Sequence, residues 1–125
     1  MLFDTSAWIE YFLATPQGEK VRLRLEEVAV AYTCPMVLAE LQSKLLRARD
    51  PAAADRLDAV RRLTAVIEAT PEIGLEAGRI HAAMRAKVSD FGMGDAFILA
   101  SAQSRSVGVL SKDPHFRGLP DAEVL

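Results

Sequence analysis

A chain of 125 residues, half of them apolar, is long enough to bury one hydrophobic core and too short for two. Its 15 Lys and Arg against 17 Asp and Glu leave a net charge of −2, which excludes holding nucleic acid by overall charge and confines any such contact to local patches. A single cysteine, Cys34, excludes an internal disulfide and a four-cysteine zinc site, and fits a reducing compartment.

In chain order, short apolar runs alternate with longer stretches of helical period. This is the pattern of an α/β domain with a mostly parallel sheet of four to five strands flanked by helices. Met1 to Asp4 reads as a first strand, and Ser6 to Leu13 as a helix that Thr5 or Ser6 caps. Thr15-Pro16-Gln17-Gly18 reads as its end, followed by a helix over 19–27 and a buried strand over 28–33. Pro35 opens a helix to about Ala48, and a second, rich in Ala and Arg, runs over 52–69. Thr70 to Gly74 is a connector with room for a very short strand. The apolar spacing of Ala77, Ile80, Ala83, Met84 and Val88 predicts an amphipathic helix over 75–88. The segment 95–104 is apolar nearly all round and predicts the most buried helix, ahead of a strand at 107–110 and a last edge strand at 122–125. No stretch approaches the ~18 uncharged apolar residues of a membrane span, and the chain starts on an apparent strand. A cytoplasmic protein without a membrane segment is the expectation.

Four acids stand beside apolar runs: Asp4, Glu40, Asp95 and Asp113. Asp4 and Asp113 follow buried strands, the edge at which open parallel sheets place ligands, although a helix cap and an Asp-Pro turn would also account for them. At 100° per residue Asp95 shares a stripe with Leu99 and Ala102, so its carboxylate heads an apolar face and needs a partner or a metal ion. Glu40 falls roughly 110° from the face formed by Val37, Leu38, Leu41 and Leu45, and periodicity favours an ordinary Glu40–Lys44 pair. Carboxylates ~4 Å apart repel by roughly 4 kcal/mol at an effective dielectric of 20, so acids gathered by a fold require protons or a cation. His81 reads as structural within its helix, while His115 and Lys112 are open between phosphate contact and ordinary turn and surface roles.

The ordered motifs Asp4-Thr5-Ser6, Ala39-Glu40-Leu41, Gly94-Asp95-Ala96-Phe97-Ile98-Leu99-Ala100 and Ser111-Lys112-Asp113-Pro114-His115-Phe116 resemble the PIN-domain nucleases. They are similar in particular to the short toxins of the VapC type, and the resemblance covers essentially the whole chain. It implies one PIN-like nuclease domain over 1–125: a Mg2+- or Mn2+-dependent endoribonuclease, the toxin of a toxin–antitoxin pair. Asp4, Glu40 and Asp95 would be the acids around the ion, with Asp4 and Asp95 as its ligands, and Asp113 a fourth acid assisting through water. Ser6 and Ser111 would place hydroxyls near metal or substrate; Ser111 stands where threonine is common in the family. The implied partners are an RNA substrate, a cognate antitoxin and a second copy of the chain, with Trp8, Tyr11, Phe12 and Leu41 as candidate apolar contacts.

Four other readings compete. A receiver domain would place paired acids after the first strand and another after a middle one, but only Asp4 follows the first strand and 28–35 contains no acid. A haloacid-type phosphatase would need an aspartate two residues after Asp4, where Ser6 stands. A catalytically weak PIN-fold binding module acting through its partner, or a DNA-directed nuclease, would keep the same acids.

Overall fold

Leu2 and Phe3 form β1, and both are fully buried because the strand runs through the middle of the sheet. A computed structural model describes residues 1–125. On one side of β1 lie β2 (Tyr32–Thr33) and then β3 (Ala65–Val66); on the other lie β4 (Val109–Ser111) and then β5 (Ala122–Val124). All four pairings are parallel, with Leu2 opposite both Tyr32 and Val109. The chain builds outward from β1 through β2 to β3, then returns to the far flank of β1. Such a reversal opens a crevice at the carboxyl ends of the strands.

Six helices cover the sheet: α1 (Thr5–Leu13), α2 (Pro16–Glu27), α3 (Pro35–Arg47), α4 (Ala53–Leu63), α5 (Pro71–Arg85) and α6 (Met93–Ser104). The central strands β1 and β4 are buried on both sides, as parallel strands under helices are, while the outer strands β3 and β5 are partly exposed. Around them Trp8, Phe91 and Phe116 are fully buried, and α6 buries Ala96, Ile98, Leu99, Ala100, Ser101 and Ala102. No helix is long and apolar enough to cross a membrane.

The fold corrects five expectations. Thr15-Pro16-Gln17-Gly18 does not merely end α1 but starts α2: the Thr15 hydroxyl accepts the Gly18 N–H at 2.9 Å, with Pro16 in the first turn where its missing N–H costs nothing. The same device recurs at Thr70-Pro71, so 70–74 carries the start of α5 rather than a strand; the Thr70 hydroxyl accepts the Ile73 N–H at 3.2 Å. The third strand lies earlier, at Ala65–Val66, and α4 therefore stops at Leu63 instead of running to 69. The second strand is confined to Tyr32–Thr33, and Val30, within the expected strand, is exposed. Trp8 and Leu41 are not available as surface contacts. Both are fully buried, Trp8 in an aromatic cluster with Tyr11 and Phe12 at centroid distances of 5.6 and 6.0 Å.

Candidate active site

The four acids reach the carboxyl edge of the sheet from four different elements. Asp4 follows β1 directly, Glu40 comes from the second turn of α3, Asp95 from the first turn of α6, and Asp113 lies two residues beyond β4. Asp4 and Asp113 thus flank the point where the strand order reverses.

Asp4 is almost fully buried and its carboxylate is saturated with donors. Oδ1 accepts the Thr5 N–H at 2.7 Å, capping α1, while Oδ2 accepts the hydroxyls of Ser6 at 2.9 Å and Ser111 at 2.7 Å. The two serines also fold the loop after β4: Ser111 Oγ accepts the Asp113 N–H and Ser6 Oγ accepts the Lys112 N–H, each at 2.9 Å. Asp113 Oδ1 in turn receives the His115 N–H at 2.9 Å and caps a short 3-10 turn at Pro114–Phe116. Ser6 and Ser111 therefore orient acids.

Glu40 departs from the expected Glu40–Lys44 pair. Its side chain is half-buried, and Oε1 accepts the Thr5 hydroxyl at 2.9 Å. Gly94 closes over the other oxygen so tightly that a Cβ there would stand 3.3 Å from Glu40 Oε2. Periodicity along α3 identifies the face packed on the sheet; it is blind to a second face covered by α1 and by the start of α6.

Two more residues join from the periphery. His115 Nδ1 lies 3.2 Å from Asp113 Oδ1 and 3.5 Å from Asp95 Oδ2, and its Nε2 is 3.1 Å from Oδ2 of the exposed Asp90. Lys112 turns outward and pairs with the buried Glu10, whose other carboxylate oxygen accepts the Thr15 hydroxyl. That pairing, led by the Lys112 hydrogen bond, holds the Glu10 carboxyl below its ordinary range. Thr5 and Gly94 stand within the motifs without a site role assigned to them, and Glu10 and Asp90 are participants that motif reading passes over. Nothing in local pattern marks Asp90 or Glu10.

The electrostatics are those of an uncompensated acid cluster. Burial, above all, pushes the carboxyls of Asp4, Glu40 and Asp95 above the ordinary range. At Asp4 the three hydrogen bonds oppose that push and Asp113 adds to it; at Glu40 the Thr5 hydroxyl opposes it while Asp4 and Asp95 reinforce it. Asp95 is raised further by Asp113 and Asp4. Burial lowers the His115 imidazole, but Asp90, Asp113 and Asp95 together outweigh it and hold it above its ordinary value.

The tightest grouping of possible ligand atoms joins Asp95 and Asp113 to His115, all within 4.8 Å of one another. Asp4, expected as the partner of Asp95 in the metal set, lies outside that group and acts on Asp95 through its charge. A small divalent cation fits the donor set. Carboxylate oxygens converge without enough positive charge to balance them, and beside them His115 Nδ1 is buried with no hydrogen-bond partner.

Solved structures share this architecture across nearly their whole length. A toxin–antitoxin complex from Klebsiella pneumoniae superposes with a TM-score of 0.75 at 19% identity, covering 98% of this chain and 95% of that one. VapBC2 from Rickettsia felis, bound to a promoter DNA fragment, gives 0.77 at 16% identity over 99% and 96% of the two chains. VapC20 from Mycobacterium tuberculosis, described as a Sarcin-Ricin loop cleaving toxin, gives 0.77 at 22% identity over 98% and 97%. Among curated proteins no sequence matches. The family model of the PIN domain, however, matches residues 1–122, from the strand that delivers Asp4 to the start of the last edge strand. The chain belongs to the PIN domain family.

Proposed function

We propose that the protein is a divalent-metal-dependent endoribonuclease, the toxin of a toxin–antitoxin pair, with residues 1–125 as its nuclease domain. One observation carries this reading: Asp4, Glu40, Asp95 and Asp113 come from four separate elements to one crevice at the carboxyl edge of the sheet, with three of them pushed toward protonation by burial. A cluster that resists its own charge is suited to a cation. The likeness in fold to VapBC complexes, and to a toxin described as Sarcin-Ricin loop cleaving, supports RNA as substrate and an antitoxin as partner; the proposal also takes the assembly as a homodimer and the compartment as the cytoplasm.

In this reading Asp95 and Asp113 hold the ion, Mg2+ or Mn2+, with Asp4 beside them and Glu40 closing the inner wall. A bound divalent ion supplies activation of water and neutralises charge that develops on the phosphoryl oxygens. The chain's own residues do the rest. Ser6 and Ser111 fix the Asp4 carboxylate, the Thr5 hydroxyl holds one Glu40 oxygen, and Glu40 or Asp113 would take a proton from the attacking water.

The test is cleavage of structured RNAs and matched single-stranded DNA with Mg2+ or Mn2+, with and without chelator, comparing wild type with Asp4→Asn and Asp95→Asn. Metal-dependent RNA cleavage lost in both variants supports the assignment. Cleavage that survives chelation, or that acts on DNA alone, overturns it.

A further inference from the structure

His115 presents one ring nitrogen as a ligand would and uses the other to fix its orientation. Nδ1 is shut off from solvent and forms no hydrogen bond, although two carboxylate oxygens stand 3.2 and 3.5 Å away. The nearer of them, Asp113 Oδ1, already receives the His115 backbone N–H at 2.9 Å. At the opposite corner of the ring, Nε2 lies 3.1 Å from Asp90 Oδ2. With Asp90 holding a proton at Nε2, a cation seated between Nδ1 and the two acids would take the place of any Nδ1 proton and use the lone pair there, the arrangement outer carboxylates support in metal-bound imidazoles. Fully buried Phe91 stands edge-on to the ring at 6.2 Å between centroids and limits its rotation. Adjacent donors on an octahedral ion with bonds of about 2.1 Å are separated by about 3 Å, close to the spacings from Nδ1 to the two acids.

We infer that His115 Nδ1 is itself a metal ligand, completing with Asp95 and Asp113 a site of two carboxylates and one imidazole that prefers a first-row transition ion to Mg2+. This rests on the reading of the acid cluster as a divalent-metal centre and adds to it a ligand and a metal preference. Mg2+ is a hard ion that takes oxygen donors and gains little from an imidazole, whereas Co2+ and its neighbours gain affinity from nitrogen. Asp90 is the outer residue that aims the ring; it is exposed and needs no contact with the ion.

Pulsed EPR on the full chain loaded with Mn2+ reads the ligand directly, through the modulation that a coordinated 14N imparts. Calorimetric titrations with Co2+, Mn2+ and Mg2+ then compare wild type, His115→Gln and Asp95→Asn, each melted metal-free to confirm folding. The expected result is a 14N signal in wild type that disappears in His115→Gln, with Co2+ affinity falling by about tenfold or more while Mg2+ affinity changes less than about threefold. Wild-type Mn2+ binding that is saturable, abolished by Asp95→Asn and free of coordinated 14N would keep the metal centre and overturn the role of His115. Equal losses of Co2+ and Mg2+ affinity in His115→Gln overturn the preference. Absence of saturable binding by the wild type overturns both the metal centre and this ligand.

Discussion

Asp95→Asn should make the metal-free protein more stable while destroying its response to metal. Asp95, Asp113 and His115 have ligand atoms within 4.8 Å, and at that separation two carboxylates repel by about 3.5 kcal/mol for an effective dielectric of 20. Asparagine removes this term. It also gives up as much as ~1 kcal/mol of favourable charge at the start of α6, together with the His115 contact at 3.5 Å. With partial solvent screening, the balance is a net gain of about 1 kcal/mol, or a melting temperature some 3–6 °C higher in chelator. Wild type at an ion concentration 100 times Kd should gain about 2.7 kcal/mol, or about 10 °C, and the variant almost none of it. The pH dependence has a defined sign. Folded Asp4, Glu40 and Asp95 titrate above their unfolded values, so the stability they contribute is complete below about pH 4 and is lost as pH rises through their folded values. Metal-free wild type should weaken from pH 4 toward 8, and saturating metal should flatten that slope. The assay is thermal unfolding by circular dichroism in chelator and in metal across that range. An Asp95→Asn protein that melts below wild type in chelator, or that still gains the full metal shift, would refute the reasoning.

Glu40→Gln retains an acceptor for the Thr5 hydroxyl, so RNA cleavage should fall by about 100-fold or more while the melting temperature moves by no more than a few degrees; single-turnover kinetics beside a thermal melt checks both. Ser111→Ala strips a donor from the buried Asp4 Oδ2 and an acceptor from the Asp113 N–H, and should cost about 1–3 kcal/mol in urea unfolding. Gly18→Ala would place a Cβ 2.1 Å from the Glu10 carbonyl oxygen, forcing α1 and α2 apart at a cost of about 2 kcal/mol or more. Gly78→Ala, whose Cβ meets nothing within 4 Å in the interior of α5, should instead stabilise by about 0.5–1 kcal/mol in the same measurement.

The sequence made the sheet class and two of the acids legible because both follow from one-dimensional patterns. Apolar pairs such as Leu2-Phe3 ending in an acid, and Val109-Leu110 followed closely by Asp113, place carboxylates at strand ends without knowledge of strand order. Periodicity pointed away from Glu40, which only the family resemblance placed in the site, because its environment is built by Thr5 and Gly94, 35 and 54 positions away in sequence. The third strand escaped because two residues, Ala65 and Val66, are too few to impose a period of two on a sequence that still reads as helix. Thr-Pro at 15–16 and 70–71 carried a start signal that the proline's reputation as a breaker masked. The link from Asp90 to His115 joins an exposed loop to the turn after β4, and no spacing rule spans that distance.

The sheet's two outer strands, β3 and β5, are two and three residues long. An added chain would find at most one or two rungs of backbone donors and acceptors there, too few to template a ladder. Strand addition, the commonest route by which parallel sheets recruit an extended peptide or aggregate, is thereby closed to this fold. Apart from Val30 in the loop before β2, its large exposed apolar side chains, including Leu13, Leu46 and Leu75, stand on or at the ends of helices. Recognition between this chain and any protein it binds therefore falls to side chains on helical surfaces, whose identity can drift and be rematched without disturbing the strands that carry the acids.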